Sequence, residues 1–137
     1  MTKDQRLSTA IHILSALAFK VPQGLSSEQL ALSLKGNSSY VRRILAQLSR
    51  AGLIKSVKGP QGGYQLKKAA SNISIKDVYL ALGSARLFKS FEKHPFKHCP
   101  ISCGIKKALD GLYRELDHSL LAKMQSVSIK KIVSKIE

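Results

Sequence analysis

The chain reads as mainly helical with one small β-hairpin, and three observations carry that reading. Apolar residues recur at helical spacing along most of the 137 residues: Leu7, Ile11, Leu14 and Ala18 near the start, Val41, Ile44, Leu45 and Leu48 in the middle, and Ile105, Leu109, Leu112, Leu116 and Leu120 towards the end. Two short strands, near residues 54–57 and 64–66, flank KGPQGG, a turn-forming run. Between Glu28 and Asp77 there is no acidic residue, while the interval holds Lys35, Arg42, Arg43, Arg50, Lys55, Lys58, Lys67, Lys68 and Lys76. The predicted architecture is therefore mainly α with a hairpin wing: a winged helix-turn-helix, then a long C-terminal dimerisation helix.

Residues 7–19, LSTAIHILSALAF, are almost all apolar or small, so the first helix is expected to be buried over much of its surface. His12 within it reads as a core or interface histidine rather than a functional one. VPQG, residues 21–24, is a turn. Ser26 and Gln29 then have capping-box spacing and open a short helix with Leu30, Ala31 and Leu34 on its apolar side. Lys35-Gly36-Asn37 breaks it. The next helix starts at Ser38, whose hydroxyl can cap the first turn, and ends at Ala51-Gly52, because glycine adopts the left-handed conformation cheaply. A short helix, a turn and a basic helix make a helix-turn-helix, and the hairpin supplies the wing.

Ser74 caps a further helix carrying Ile75, Val78 and Leu82. Residues 85–103 read as a loop of mixed character, and a loop of that length is often functional. From Gly104 a long helix is expected to about Met124, spanning roughly 30 Å. The winged unit can bury only part of that length, so the rest is expected to meet a second copy. Gly111 weakens its middle or permits close approach. Ser126 or Ser128 starts a last helix, with Ile129, Ile132, Val133 and Ile136 on one face. The organisation expected is a DNA-binding unit over 1–84, a sensor or linker loop over 85–103 and dimerisation helices over 104–137.

Composition narrows the function. Lys and Arg number 23 against 8 acidic residues, a formal net charge of +15, so a polyanionic partner is the first expectation. A surface built only for solubility mixes signs, whereas phosphate neutralisation uses one sign. No apolar run approaches the roughly 18 residues of a spanning helix, so no membrane partner is expected. The start, MTKDQRLSTAIHIL, has no signal-peptide core, and a cytoplasmic location follows as an expectation. Two cysteines are too few for a secreted disulfide scaffold. The basic helix can enter a major groove, and the hairpin can lie along the backbone or in the minor groove of double-stranded DNA.

The segment ALSLKGNSSYVRRILAQLSRAGLIKSVKGPQGGYQL resembles the winged-helix signature of the Rrf2 (BadM-type) bacterial transcription regulators. Their pattern runs through S-Y-L/V, L-x-x-A-G-L-I/V and S-x-R/K-G-x-x-G-G-Y/F-x-L. It is matched here at Ser39-Tyr40-Val41, from Leu48 to Ile54 and from Ser56 to Leu66. The resemblance covers residues 7–84 well and the remainder loosely. It implies a homodimeric, sequence-specific DNA binder on a pseudo-palindromic site that usually represses transcription. It assigns Ser38, Ser39, Tyr40, Arg42 and Arg43 to the groove and nearby phosphates, and Lys58 with the wing-tip glycines to the backbone or minor groove. With Gln47 on the outward helix face and Gly59, Gln61 and Gly62 in the wing, these form the candidate interface. Arg42 stands where some members carry Glu, and Lys58 where others carry Arg, which leaves the recognised sequence open.

His94, His98, Cys99 and Cys103 fall close together. Relatives that hold an iron–sulfur cluster place three cysteines in this region, and cluster sites normally need about four ligands, mostly thiolates. With two cysteines no cofactor is expected. Zinc on His94, His98, Cys99 and Cys103 is the weaker alternative, since H-x3-H-C-x3-C matches no strong zinc pattern. A thiol switch suits the region better: Lys97, His98, Lys106 and the following helix N-terminus would favour a thiolate. The resemblance includes cluster-free members with a cysteine before Pro and Ile or Val, as at Cys99-Pro100-Ile101, some of them redox sensors. It makes Cys99 the first choice and Cys103 its resolving partner. Both thiols being inert is the competing reading. An oxidant or a small molecule is thus the expected signal.

Two other classes compete. A non-specific RNA- or DNA-coating protein would share the charge, but RNA sequence readers stack bases on exposed aromatics, and the basic stretch offers only Tyr40 and Tyr64. An enzyme using Cys99 with His98 lacks an evident acidic or oxyanion partner, so no enzymatic activity is expected.

Overall fold

The computed structural model describes residues 3–19, 23–60, 62–83, 87–91 and 96–136. In order they form α1 (Lys3–Phe19), α2 (Ser27–Leu34), α3 (Ser38–Arg50), β1 (Ile54–Val57), β2 (Gly63–Leu66), a 3-10 turn (Ala70–Asn72), α4 (Ile75–Ala81), α5 (Pro100–Gln125) and α6 (Ile129–Ser134). The two strands pair antiparallel, Ile54 opposite Leu66 and Val57 opposite Gly63.

The core is where the helical stripes meet. Ile13, Leu14 and Leu17 of α1 pack with Leu30 of α2, with Val41, Ile44, Leu45 and Leu48 of α3, and with Ile73, Val78 and Ile129. Every one of these is buried. The capping box at Ser26 and Gln29 forms, with Gln29 N donating to Ser26 Oγ at 3.1 Å and Ser26 N donating to Gln29 Oε1 at 2.8 Å. Ser74 and Asp77 make a second box at the start of α4. Ser128, of the two serines considered, caps α6.

Two helix starts differ from expectation. Asn37, not Ser38, caps α3: its Oδ1 accepts from Ser39 N at 2.8 Å and from Tyr40 N at 3.2 Å. Asparagine reaches those amides as well as serine does, and the cap falls one residue earlier. The long helix begins at Pro100 rather than Gly104. Proline suits the first helical position because its missing N–H would have no intrahelical partner, and Cys99 Sγ accepts from Ser102 N at 3.4 Å. Cys103 therefore lies on the first turn of α5 and not in a loop.

Two further backbone links position the reading elements. Leu25, just before α2, exchanges hydrogen bonds with Tyr64 of β2, Leu25 N to Tyr64 O at 3.1 Å and Tyr64 N to Leu25 O at 2.7 Å, tying the wing to the helix-turn-helix. After α5 the chain returns to the start of α4: Ile75 N donates to Val127 O and Ile129 N to Ile73 O, both at 2.9 Å.

Gly63 shows how tight the wing anchor is. Its φ is +130°, and a Cβ there would sit 2.5 Å from the Leu25 carbonyl oxygen. Gly63→Ala is expected to cost about 2–3 kcal/mol, combining backbone strain with loss of the Leu25–Tyr64 pair. Thermal melting of the two proteins checks this; an unchanged midpoint would contradict it.

Candidate nucleic-acid interface

Along α3 the inner stripe is consumed by the core, and the other faces carry the chemistry. Ser39, Arg42, Arg43 and Arg50 are exposed. Arg42 Nη1 lies 3.8 Å from Glu28 Oε1 of α2, an exposed pair that a phosphate can replace at little cost. Its Nη2 also reaches Ser39 Oγ at 3.4 Å. Backbone hydrogen bonding at the start of α2 holds the Glu28 carboxyl below its ordinary range, with smaller help from Ser27 and Arg42.

Two residues expected on the outward faces are half-buried. Tyr40 packs against the core, and the Arg43 guanidinium sits 5.7 Å from the centre of its ring. Gln47 Oε1 accepts from Arg6 Nη2 at 3.4 Å. Arg6 also donates to the Leu82 carbonyl at 2.7 Å, joining α1, α3 and the end of α4. Arg6, Tyr40, Arg43, Gln47 and Arg50 share a cleft of about 540 Å³ with no acidic residue on its walls among the described residues. The sequence reading did not single out Arg6. It lies outside the acid-free stretch, and its partners are 41 and 76 positions away, so no local pattern marks it.

In the wing, Lys58 and Gly59 are exposed. Gly62 N donates to Gly59 O at 2.9 Å, closing the turn. A side chain on Gly62 would collide with the Val57 carbonyl, so the turn needs glycine there. Gln61 lies outside the described residues. Ser38 is half-buried as the first residue of α3.

A basic helix with Ser39, Arg42 and Arg43 exposed near its start, followed by a tied-down glycine wing, is the arrangement of winged-helix DNA readers. The comparisons agree. The family model for Rrf2, described as an iron-dependent transcriptional regulator, matches residues 3–135. The chain belongs to the Rrf2 family of transcriptional regulators. It is 30% identical to YwnA of Bacillus subtilis (strain 168), a protein named as an HTH-type transcriptional regulator, over 96% of this chain and 96% of that one. A crystal structure described as that of a DNA-binding protein is 31% identical, covers 93% of this chain and 97% of its own, and superposes with a TM-score of 0.74. The oxidized form of Staphylococcus aureus CymR shares the fold at 22% identity, covering 97% of this chain and 96% of its own, with a TM-score of 0.70.

The family description names iron, and the residues described here do not fit it. Among the described residues no group of three or more His, Cys, Asp or Glu side chains is placed to hold a metal ion. Cys99 is half-buried, and its sulfur caps α5. Cys103 is exposed and points its thiol at the Phe96 and Lys97 carbonyls, 3.5 and 3.7 Å away. His98 packs edge-on against Phe96, ring centres 5.7 Å apart. His94, the remaining member of the zinc alternative, lies outside the described residues.

The long helix is only partly covered. No residue of α5 is buried, although it runs for 26 residues, about 39 Å. Its apolar stripe stays open: Ile105 is 37% exposed, Leu112 47% and Leu116 40%. The segment before it leans on α5, with Phe88 stacked on Tyr113 at 5.5 Å and Ser90 donating to Asp110. That hydrogen bond, then the Lys106 ammonium at 3.1 Å, holds the Asp110 carboxyl below its ordinary value. No helix among the described residues is long and apolar enough to cross a membrane.

Proposed function

We propose that this Rrf2-family regulator acts as a homodimer that reads a pseudo-palindromic operator and answers to thiol oxidation. One observation carries the DNA reading: α3 and the wing present cations to solvent without an intervening acidic residue between Glu28 and Asp77. Arg42 and Arg43, at the start of α3, are assigned to base edges, since a guanidinium can bond guanine O6 and N7 together. Ser38, Ser39, Tyr40, Gln47, Lys58, Gly59, Gln61 and Gly62 are assigned to phosphates and backbone. The open stripe on α5 supports the homodimer, because an apolar face of that length seeks a partner copy. Residues 1–84 form the reading unit in this proposal, 85–103 the sensing segment and 104–137 the dimerisation segment, with α5 itself starting at Pro100.

The thiol reading rests on the position of Cys99. Its sulfur caps the helix proposed to join the two copies. Peroxide would convert Cys99 to a sulfenic acid with release of water, and attack by Cys103 would release a second water and leave a disulfide. Either product changes the cap of α5. CymR of Staphylococcus aureus, alike in fold, is known in an oxidized form.

Selection of bound duplexes from a random pool tests the whole reading. Reduced protein is expected to enrich an inverted repeat, and peroxide-treated protein to lose it. Cys99→Ser keeps a capping oxygen and is expected to bind with or without oxidant. Strong, salt-sensitive binding with no enriched sequence would instead mark a coating protein.

A further inference from the structure

Between α1, α2 and α6 lies a cavity of about 660 Å³, within the roughly 300–1,000 Å³ of small-ligand sites. Ile11 and Phe19 of α1 and Ile132, Val133 and Ile136 of α6 form apolar walls. In a chain of net charge +15, no Lys, Arg, Asp or Glu lines the cavity among the described residues. Polar groups are few. His12 Nε2 and Ser33 Oγ stand 2.8 Å apart, linking α1 to α2 across the cavity wall. Ser15, also on the wall, is 7% exposed, and its hydroxyl has no hydrogen-bond partner among the described residues.

We propose that this cavity binds a small, uncharged, mainly apolar molecule with one hydrogen-bonding group, of the class of an aromatic alcohol. Its body would fill the space between α1 and α6, and its polar end would meet Ser15 and the His12–Ser33 pair. A buried hydroxyl without a partner is costly, and a ligand hydroxyl removes that cost. A carboxylate or phosphate would enter a space with no cation among the described residues to receive it. The apolar face of a second copy would leave the Ser15 hydroxyl unpaired, and the open stripe of α5 already offers such a copy a separate surface. The cavity joins α2, the first helix of the helix-turn-helix, to α6, which is bonded to the start of α4. The proposal does not depend on the operator or on the thiols.

The test is a titration of the reduced full chain with 2-naphthol, uncharged at neutral pH, followed by amide NMR shifts without DNA. Saturation at one probe per chain is expected, with shifts confined to residues 8–19, 29–33 and 132–136. Ser15→Ala is expected to weaken binding about fivefold with no fall in melting temperature, since it removes an unpaired buried hydroxyl. Val133→Trp, which fills the space, is expected to abolish it. Failure to saturate, or shifts centred on α5, would overturn the proposal. So would equal binding of naphthalene-2-sulfonate at the same residues, since the site would then favour no uncharged ligand. Shifts of these amides on dilution without probe would give the groove to a second copy, and would overturn it too.

Discussion

Replacing Arg42 and Arg43 together by alanine is expected to lower affinity for the selected operator about a hundredfold. A guanidinium reading a base is worth about 1–3 kcal/mol, and two neighbouring contacts at one helix start are not fully additive. The fold should not notice. Both side chains are exposed, the Arg42–Glu28 pair at 3.8 Å is a surface ion pair, and Arg43 lies over the Tyr40 ring. Surface pairs and exposed cation–π contacts are worth about 1 kcal/mol or less. Fluorescence anisotropy at fixed salt reads the affinity, and thermal melting reads the fold. The form of the loss separates the two roles. Base readers lose preference for the operator over random DNA, whereas phosphate clamps weaken binding to every duplex and lower the salt slope by about 0.9 per contact. An affinity unchanged by the double substitution would remove α3 from the groove.

Leu112→Asp is expected to turn the proposed dimer of about 30 kDa, twice the 15.0 kDa chain, into a monomer. Leu112 is 47% exposed and makes no part of the buried core, so a single chain tolerates the carboxylate. A two-fold interface does not, because each substitution places a charge on both sides of one apolar contact. Operator affinity should fall by about a thousandfold, since one reading head then binds alone and the effective concentration of the second is lost. Sedimentation gives the mass. A dimer that survives the substitution would move the interface away from the middle of α5.

Much of this fold was legible because its signals are local. The stripe Val41, Ile44, Leu45 and Leu48 is buried as its spacing predicts, and both capping boxes are encoded within four residues. The strands also form where KGPQGG divides them. The misreadings are local too. Asn37 and Ser38 are both competent caps, and only the geometry selects the first. Pro100 sits in a stretch of loop-like composition, yet proline is at home in a first helical turn.

What stayed hidden depends on pairs far apart in sequence. The Leu25–Tyr64 exchange and the reach of Arg6 to Leu82 follow from how the elements pack, not from any run of residues. The cavity beside His12 belongs to the same class. The apolar run around His12 points to a core or an interface, and the residue stands half-buried at a wall shared by three helices. At the candidate interface the residue types were legible and their settings were not: Tyr40 and Gln47 face partly inward, one under Arg43 and the other held by Arg6.

In the proposed dimer, two linked reading heads bind one face of the duplex together. Affinities for the selected inverted repeat and for the same repeat with 5 base pairs inserted between its halves test this directly. That insertion is about half of the 10–10.5 base-pair turn and puts the half-sites on opposite faces. The respaced duplex is expected to bind at least about a hundredfold more weakly at equal salt, close to a single half-site. Equal affinity for the two duplexes would contradict it.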